Sequence, residues 1–149
     1  MKKVLLVFSL FLAATFSANA QEISDNAIGL RLGDNDGFGF EISYQRKLKE
    51  DNRLEVNLGF RKDFYDLKLT GLYEWVWKLE DNFNWYAGAG AGLYESSGIG
   101  LFASGVVGIE YSFDMPLQIS LDYRPELGLT RNAQDGFGSD AALSVRYQF

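Results

Sequence analysis

Apolar and polar residues alternate at every second position along most of the chain, a period that predicts β-strands rather than helices. From Tyr65 to Leu79 the odd positions read Tyr65, Leu67, Leu69, Gly71, Tyr73, Trp75, Trp77 and Leu79, and the even positions carry Asp66, Lys68, Glu74 and Lys78. Seven further segments repeat the pattern. The first sets Ile28, Leu30 and Leu32 against Arg31, and the second sets Phe38, Phe40, Ile42 and Tyr44 against Glu41, Ser43 and Gln45. The third runs from Leu54 to Arg61 with Glu55 and Asn57 on its polar face, and the fifth alternates Phe83, Trp85, Ala87, Ala89, Ala91 and Leu93 with Gly88, Gly90 and Gly92. The sixth carries Ile99 to Phe113, the seventh Leu117 to Tyr123 opposite Asp122 and Arg124, and the eighth runs from Ala141 to a terminal Phe149.

Clusters of turn formers separate these segments: Asp34-Asn35-Asp36-Gly37, Glu50-Asp51-Asn52, Glu80-Asp81-Asn82, Glu95 to Gly98 and Asp114-Met115-Pro116. Two of them nearly repeat, Leu48-Lys49-Glu50-Asp51-Asn52 and Leu79-Glu80-Asp81-Asn82. They fall two strands apart, which predicts that both lie at one end of an up-and-down barrel of about eight strands. Pro125 falls inside the seventh segment, where it removes a ladder hydrogen bond and predicts a bulge or an early strand end.

Alternation alone also fits a soluble lipocalin-like barrel, whose apolar side chains point inward around a lipid-sized cavity. Four observations favour apolar-out. No charge falls on the apolar face of the eight segments as drawn, and a charge there would cost roughly 2–4 kcal/mol in mid-membrane. The aromatics of that face, Tyr44, Trp75, Trp77, Phe83, Trp85, Tyr111, Phe113, Tyr147 and Phe149, collect near one rim, as a membrane-interface girdle does. An eight-stranded interior is only just filled by side chains, so these large groups would overfill it, whereas inward glycines leave room for polar ones. Segments of roughly 9–11 residues suit a tilted bilayer crossing.

The N-terminus adds a destination. Lys2 and Lys3 precede an apolar run from Val4 to about Ala14, and Ala18-Asn19-Ala20 follows. This predicts a signal peptide over 1–20, cleaved before Gln21, with a single barrel domain over 21–149. Removing two lysines and no acids takes the formal charge from −6 to −8, which argues against nucleic acid as a partner. Neither cysteine nor histidine occurs. Disulfides, lipid attachment at cysteine, and triads that run through imidazole are therefore excluded.

An export signal, eight alternating strands, rim aromatics and a terminal Arg146-Tyr147-Gln148-Phe149 resemble the small outer-membrane barrel family, such as the membrane domains of outer-membrane proteins A and X. The resemblance implies an all-β, antiparallel transmembrane barrel in a bacterial outer membrane. Lipid, lipopolysaccharide and the barrel-assembly machinery are its implied partners. It further implies a monomer that uses no cofactor and no metal and catalyses nothing.

The inward face should hold the chemistry. Glu41, Glu55, Asp66, Glu74, Glu110, Asp122 and Glu126 face Arg31, Arg61, Lys68, Lys78, Arg124 and Arg146, a set expected to form an ion-pair network that plugs the lumen. A charged constriction gating a narrow pore is the alternative. Asp122 and Glu126 have the residue type for acid–base work, but neighbouring Arg124 and Arg146 point to charge pairing instead. The loop acids Asp34, Asp36, Asp135 and Asp140 read as solvated turn carboxylates, with weak Ca²⁺ binding as the lesser option. A surface-binding role would fall to Asp34–Phe38 and to Arg131–Asp140, with Arg131, Asp135 and an exposed Phe137 as its anchors.

Overall fold

The computed structural model describes residues 23–35, 38–61, 66–130 and 137–149, excepting the side chains of Asn35, Phe38 and Arg61. The expected signal peptide and the loop anchors Arg131 and Asp135 lie outside the described residues. Eight antiparallel strands close on themselves in sequence order. They are β1 (Asn26–Asn35), β2 (Phe38–Lys47), β3 (Asn52–Arg61), β4 (Asp66–Lys78), β5 (Phe83–Glu95), β6 (Ile99–Ser112), β7 (Leu117–Gly128) and β8 (Phe137–Gln148). Closure comes from β1 pairing with β8, where Leu30 faces Val145. Every strand is therefore paired with a neighbour on each side, and no strand is an edge.

Register shows how steeply the strands tilt. From Ile28 the ladder partners run through Tyr44, Val56, Gly71, Ala91, Ala103 and Leu127 to Phe137. On the closing ladder, however, Ile28 itself faces Tyr147. The trace thus returns to β8 ten residues from its starting partner, from 147 to 137, a stagger that strand tilt imposes on closed barrels.

The two near-repeated turns take the same hydrogen bonds. Leu48 N–H donates to Asn52 O at 2.9 Å and Asn52 N–H to Lys49 O at 3.4 Å; likewise Leu79 N–H donates to Phe83 O at 2.8 Å and Phe83 N–H to Glu80 O at 3.1 Å. Both turns lie at the end where the described chain begins and ends, and where Asn26 and Phe149 exchange backbone bonds. This is the termini end; the other is the loop end.

Charge and apolarity are distributed inside out relative to a soluble barrel. Leu30, Leu32, Ile42, Leu101, Leu121 and Leu143 are exposed on the outer wall, while Arg31, Glu41, Glu55, Arg124 and Arg146 are almost completely buried within it. That is the arrangement of a transmembrane barrel, and a lipocalin-like barrel would show the reverse.

Several strand ends differ from the sequence reading. Strands run from 10 to 14 residues rather than 9–11. β2 continues to Lys47, which puts Arg46 on the outward face. β5 likewise reaches Glu95. The apolar face is therefore uncharged through its middle but not at its ends. Pro125 causes neither a bulge nor an early end. β7 runs on to Gly128, and its register against β6 is the same on both sides, with Ser104 facing Glu126 and Val107 facing Tyr123. Only the rungs at Gly105 and Val106 are missing, beside the one residue without an N–H to offer.

Candidate functional site in the barrel interior

Alternation sends every second side chain inward, and tilt decides which of them meet. Nearer the loop end, Arg31 of β1 reaches three carboxylates on three other strands: Glu41 at 3.3 Å, Asp122 at 2.5 Å and Asp140 at 2.5 Å. Arg124 pairs with Glu41 at 2.6 Å and with Glu126 at 3.2 Å. Lys68 closes this tier on Glu126 at 2.7 Å.

A second tier lies nearer the termini end. Arg146 donates to Glu55 at 3.1 Å and to the hydroxyls of Ser43 and Ser120 at 2.9 and 2.8 Å. Glu55 also accepts from Gln45 at 2.5 Å and from Asn57 at 2.8 Å. Arg53 pairs with Glu74 at 2.6 Å and Glu110 at 2.7 Å, and Asn84 donates to Glu110 at 3.2 Å. The Arg53 guanidinium lies 4.7 Å from the ring centroid of Tyr86, whose hydroxyl donates to Asp122 at 3.4 Å. Tyr86 thereby links the two tiers. Each buried charge meets opposite charge or several dipoles, which is what offsets its lost hydration.

Beside this network lies an apolar patch from β4, β5 and β6. Leu72, Val76, Tyr86, Phe102 and Val106 point inward and are buried. Ile23, from the chain entering the barrel, belongs to the same cluster as Leu72, Val76, Tyr86 and Val106. Of the inward glycines expected to leave room for polar groups, Gly88 lies against the Glu74 side chain but Gly92 seats a ring, as does Gly108. A Cβ on Gly108 would stand 2.6 Å from Tyr86 Oη, and one on Gly92 2.7 Å from Phe102 Cε1.

The predicted residues sort plainly against this geometry. Arg31, Glu41, Lys68, Asp122, Arg124 and Glu126 meet in the first tier; Glu55, Glu74, Glu110 and Arg146 meet in the second. Asp122 and Glu126 are engaged by Arg31, Arg124 and Lys68, while Arg146 sits with Glu55 rather than beside them. Asp66 is buried as well. Lys78 stays at the mouth, 3.8 Å from exposed Asp81, and the side chain of Arg61 lies outside the described residues. Asp140 is a correction. It is no solvated turn carboxylate but a buried one, because β8 begins at Phe137 and carries it into the lumen. Its Oδ1 also accepts from the backbone N–H of exposed Asp34 at 2.8 Å. Arg53 was missed altogether, since β3 begins before it, at Asn52.

On the outer wall the rim aromatics stand at the termini end in touching pairs. Trp77 stacks on Trp85 at 4.3 Å, Phe83 meets Tyr111 at 5.2 Å, Tyr111 meets Phe113 at 4.8 Å and Tyr147 lies 6.2 Å from Phe149. Trp75 packs edge-on against Tyr73 at 5.0 Å. Tyr44 donates its hydroxyl to Asn26 at 2.7 Å. Phe137 is 70% exposed, at an outward position facing Leu127 near the loop end.

No family model matches the chain, and no curated protein does. Solved structures do. A designed transmembrane β-barrel has a TM-score of 0.65 at 16% identity, covering 88% of this chain and all of that one. A second designed barrel, TMB2.3, solved by solution NMR, has a TM-score of 0.60 at 14% identity, covering 88% of this chain and 98% of that one. The crystal structure of Neisserial surface protein A (NspA) has a TM-score of 0.61 at 15% identity, covering 83% of this chain and 94% of that one. At these identities the likeness establishes the fold: a small, closed transmembrane β-barrel. Two of the three are designed, so the architecture by itself carries no particular activity.

Proposed function

We propose that this protein is a small structural barrel of a bacterial outer membrane, akin to outer-membrane proteins A and X, with a lumen closed by its own ion pairs. The observation that carries this reading is the two-tier interior. Five buried cations, Arg31, Arg53, Lys68, Arg124 and Arg146, are held against carboxylates within a wall whose exposed face is apolar. Such an object needs no cofactor. Its partners are membrane lipid, lipopolysaccharide and the machinery that inserts barrels, and it works as a monomer.

Gel mobility of the protein from an outer-membrane fraction, with and without boiling in detergent, tests the membrane barrel. The unboiled protein should run as a compact species that shifts on heating; recovery in the soluble periplasm without a shift would refute the reading. Conductance in planar bilayers tests the closed lumen. The wild-type barrel should be silent, and Arg124→Ala should lower stability and admit at most small leaks. Steady conductance from the wild type would replace the plug with a pore. Among the described residues seven buried carboxylates outnumber the five cations, so that pore would favour cations.

A further inference from the structure

The outer wall is not the same height all round, and the difference exposes one cation. Toward the termini end, the outward faces of β4 to β8 stay apolar as far as Trp77, Phe83, Phe113, Leu117 and Phe149. On β1 and β3 the last outward apolar residues are Ile28 and Leu54, followed by Asn26 and Asn52, and on β2 Arg46 interrupts the apolar face between Tyr44 and the exposed Leu48 of the turn. Arg46 is exposed and faces Asn26 on one ladder and Leu54 on the other. No carboxylate pairs with it among the described residues, Asp25 included.

We propose that Asn26, Tyr44 and Arg46 form a binding site for the phosphate of a membrane phospholipid, at the break that Asn26, Arg46 and Asn52 make in the apolar wall. The site rests on the membrane-barrel reading above. Its chemistry follows from what surrounds the guanidinium. The Tyr44 hydroxyl donates to Asn26 Oδ1 at 2.7 Å, which fixes the Asn26 side chain on the outer face and leaves its amide N–H groups as further donors beside Arg46. A planar, permanently charged donor set answers a phosphate better than it answers water, because fork geometry matches two oxygens at once. Leu54 and Ile28, just above, offer the apolar surface on which the acyl chains of the same lipid would lie. Where the apolar wall is short, a bilayer adapts by thinning, and that brings phosphates to the level of Arg46.

Native mass spectrometry of the folded barrel in detergent, titrated with dimyristoyl phosphatidylglycerol, tests the site. Arg46→Gln should weaken the apparent affinity about fivefold, and Arg46→Lys should restore only part of it, because a point charge lacks the two-oxygen fork. Dimyristoylglycerol, which has the same chains and no phosphate, should bind no better to wild type than to Arg46→Gln. Inorganic phosphate should compete only weakly, which separates a headgroup site from a free-anion site. Equal phosphatidylglycerol affinity in wild type and Arg46→Gln would overturn the proposal, as would retention of dimyristoylglycerol as strong as that of phosphatidylglycerol. Boiled and unboiled gels of the same samples keep the two readings apart. A heat shift in both proteins with unchanged lipid affinity removes the phosphate site alone, whereas no shift in the wild type removes the membrane barrel with it.

Discussion

The two sides of the lumen are built by different rules. Around β1–β3, β7 and β8 the interior is directional: Arg31, Arg53, Arg124 and Arg146 each reach carboxylates on other strands at hydrogen-bond distance. Against β4–β6 it is also volumetric: Lys68, Glu74 and Glu110 join the network there, but Leu72, Val76, Tyr86, Phe102 and Val106 fill the space beside them that glycines vacate. The directional side fixes which strands face one another, because a guanidinium moved by one residue loses all its partners. The volumetric side fixes how tightly the wall can close around its contents. Tyr86 belongs to both, with its ring on the apolar side and its hydroxyl on Asp122.

Substitutions can break this contrast, and the largest effect should come from Arg31. Arg31→Met takes from Asp122 and Asp140 their closest cation and leaves Glu41 with Arg124 alone, and should cost about 3–5 kcal/mol in urea titrations of the folded barrel in vesicles. A cost below about 1 kcal/mol, the worth of an exposed pair, would mean that water fills this half. Next, Leu72→Ala should cost about 2–4 kcal/mol by the same titration if its side is dry and packed; no loss would dissolve the distinction between the halves. Gly108→Val drives a side chain into Tyr86 and should cost about 1–3 kcal/mol. Combining it with Tyr86→Leu should recover part of that loss, whereas a purely local strand effect would not be rescued. The smallest change is Tyr86→Phe, which removes only the bond to Asp122 and should cost about 0.5–1.5 kcal/mol. A much larger value would make the link between the tiers more important than its 3.4 Å length suggests.

Strand number, order and the inward or outward sense of each side chain were legible in the sequence because a period of two is a local property. Strand ends were not. Asn52, Arg53, Ser139 and Asp140 look like turn residues one at a time, and only pairing with a neighbouring strand shows that they belong to ladders. Those ends held Arg53 and Asp140, two charges of the interior network, and Arg46, the cation on the outer wall. Leu72, Val76 and Tyr86 could be placed on the inward face but not seen as a cluster. Which inward residues meet depends on the ten-residue stagger, and stagger is a property of the closed barrel rather than of any one segment. Pro125 misled for the opposite reason. Its missing N–H costs rungs at two positions on one side only, and pairing with β8 through Ser139 carries the strand past it.

Closure itself has a kinetic side. Seven ladders join strands adjacent in the chain, and the eighth joins β1 to β8, bringing Leu30 to Val145. The hairpins therefore form from nearby segments, while the last seam waits for the two ends of the chain to find each other across the whole sheet. Until then β1 and β8 each present an unpaired edge, and two such chains side by side are as well matched to one another as either is to itself. The final rung is thus the step at which a single chain is chosen over a pair. Dilution at the moment of folding should favour the closed monomer, and crowding should favour exchanged strands.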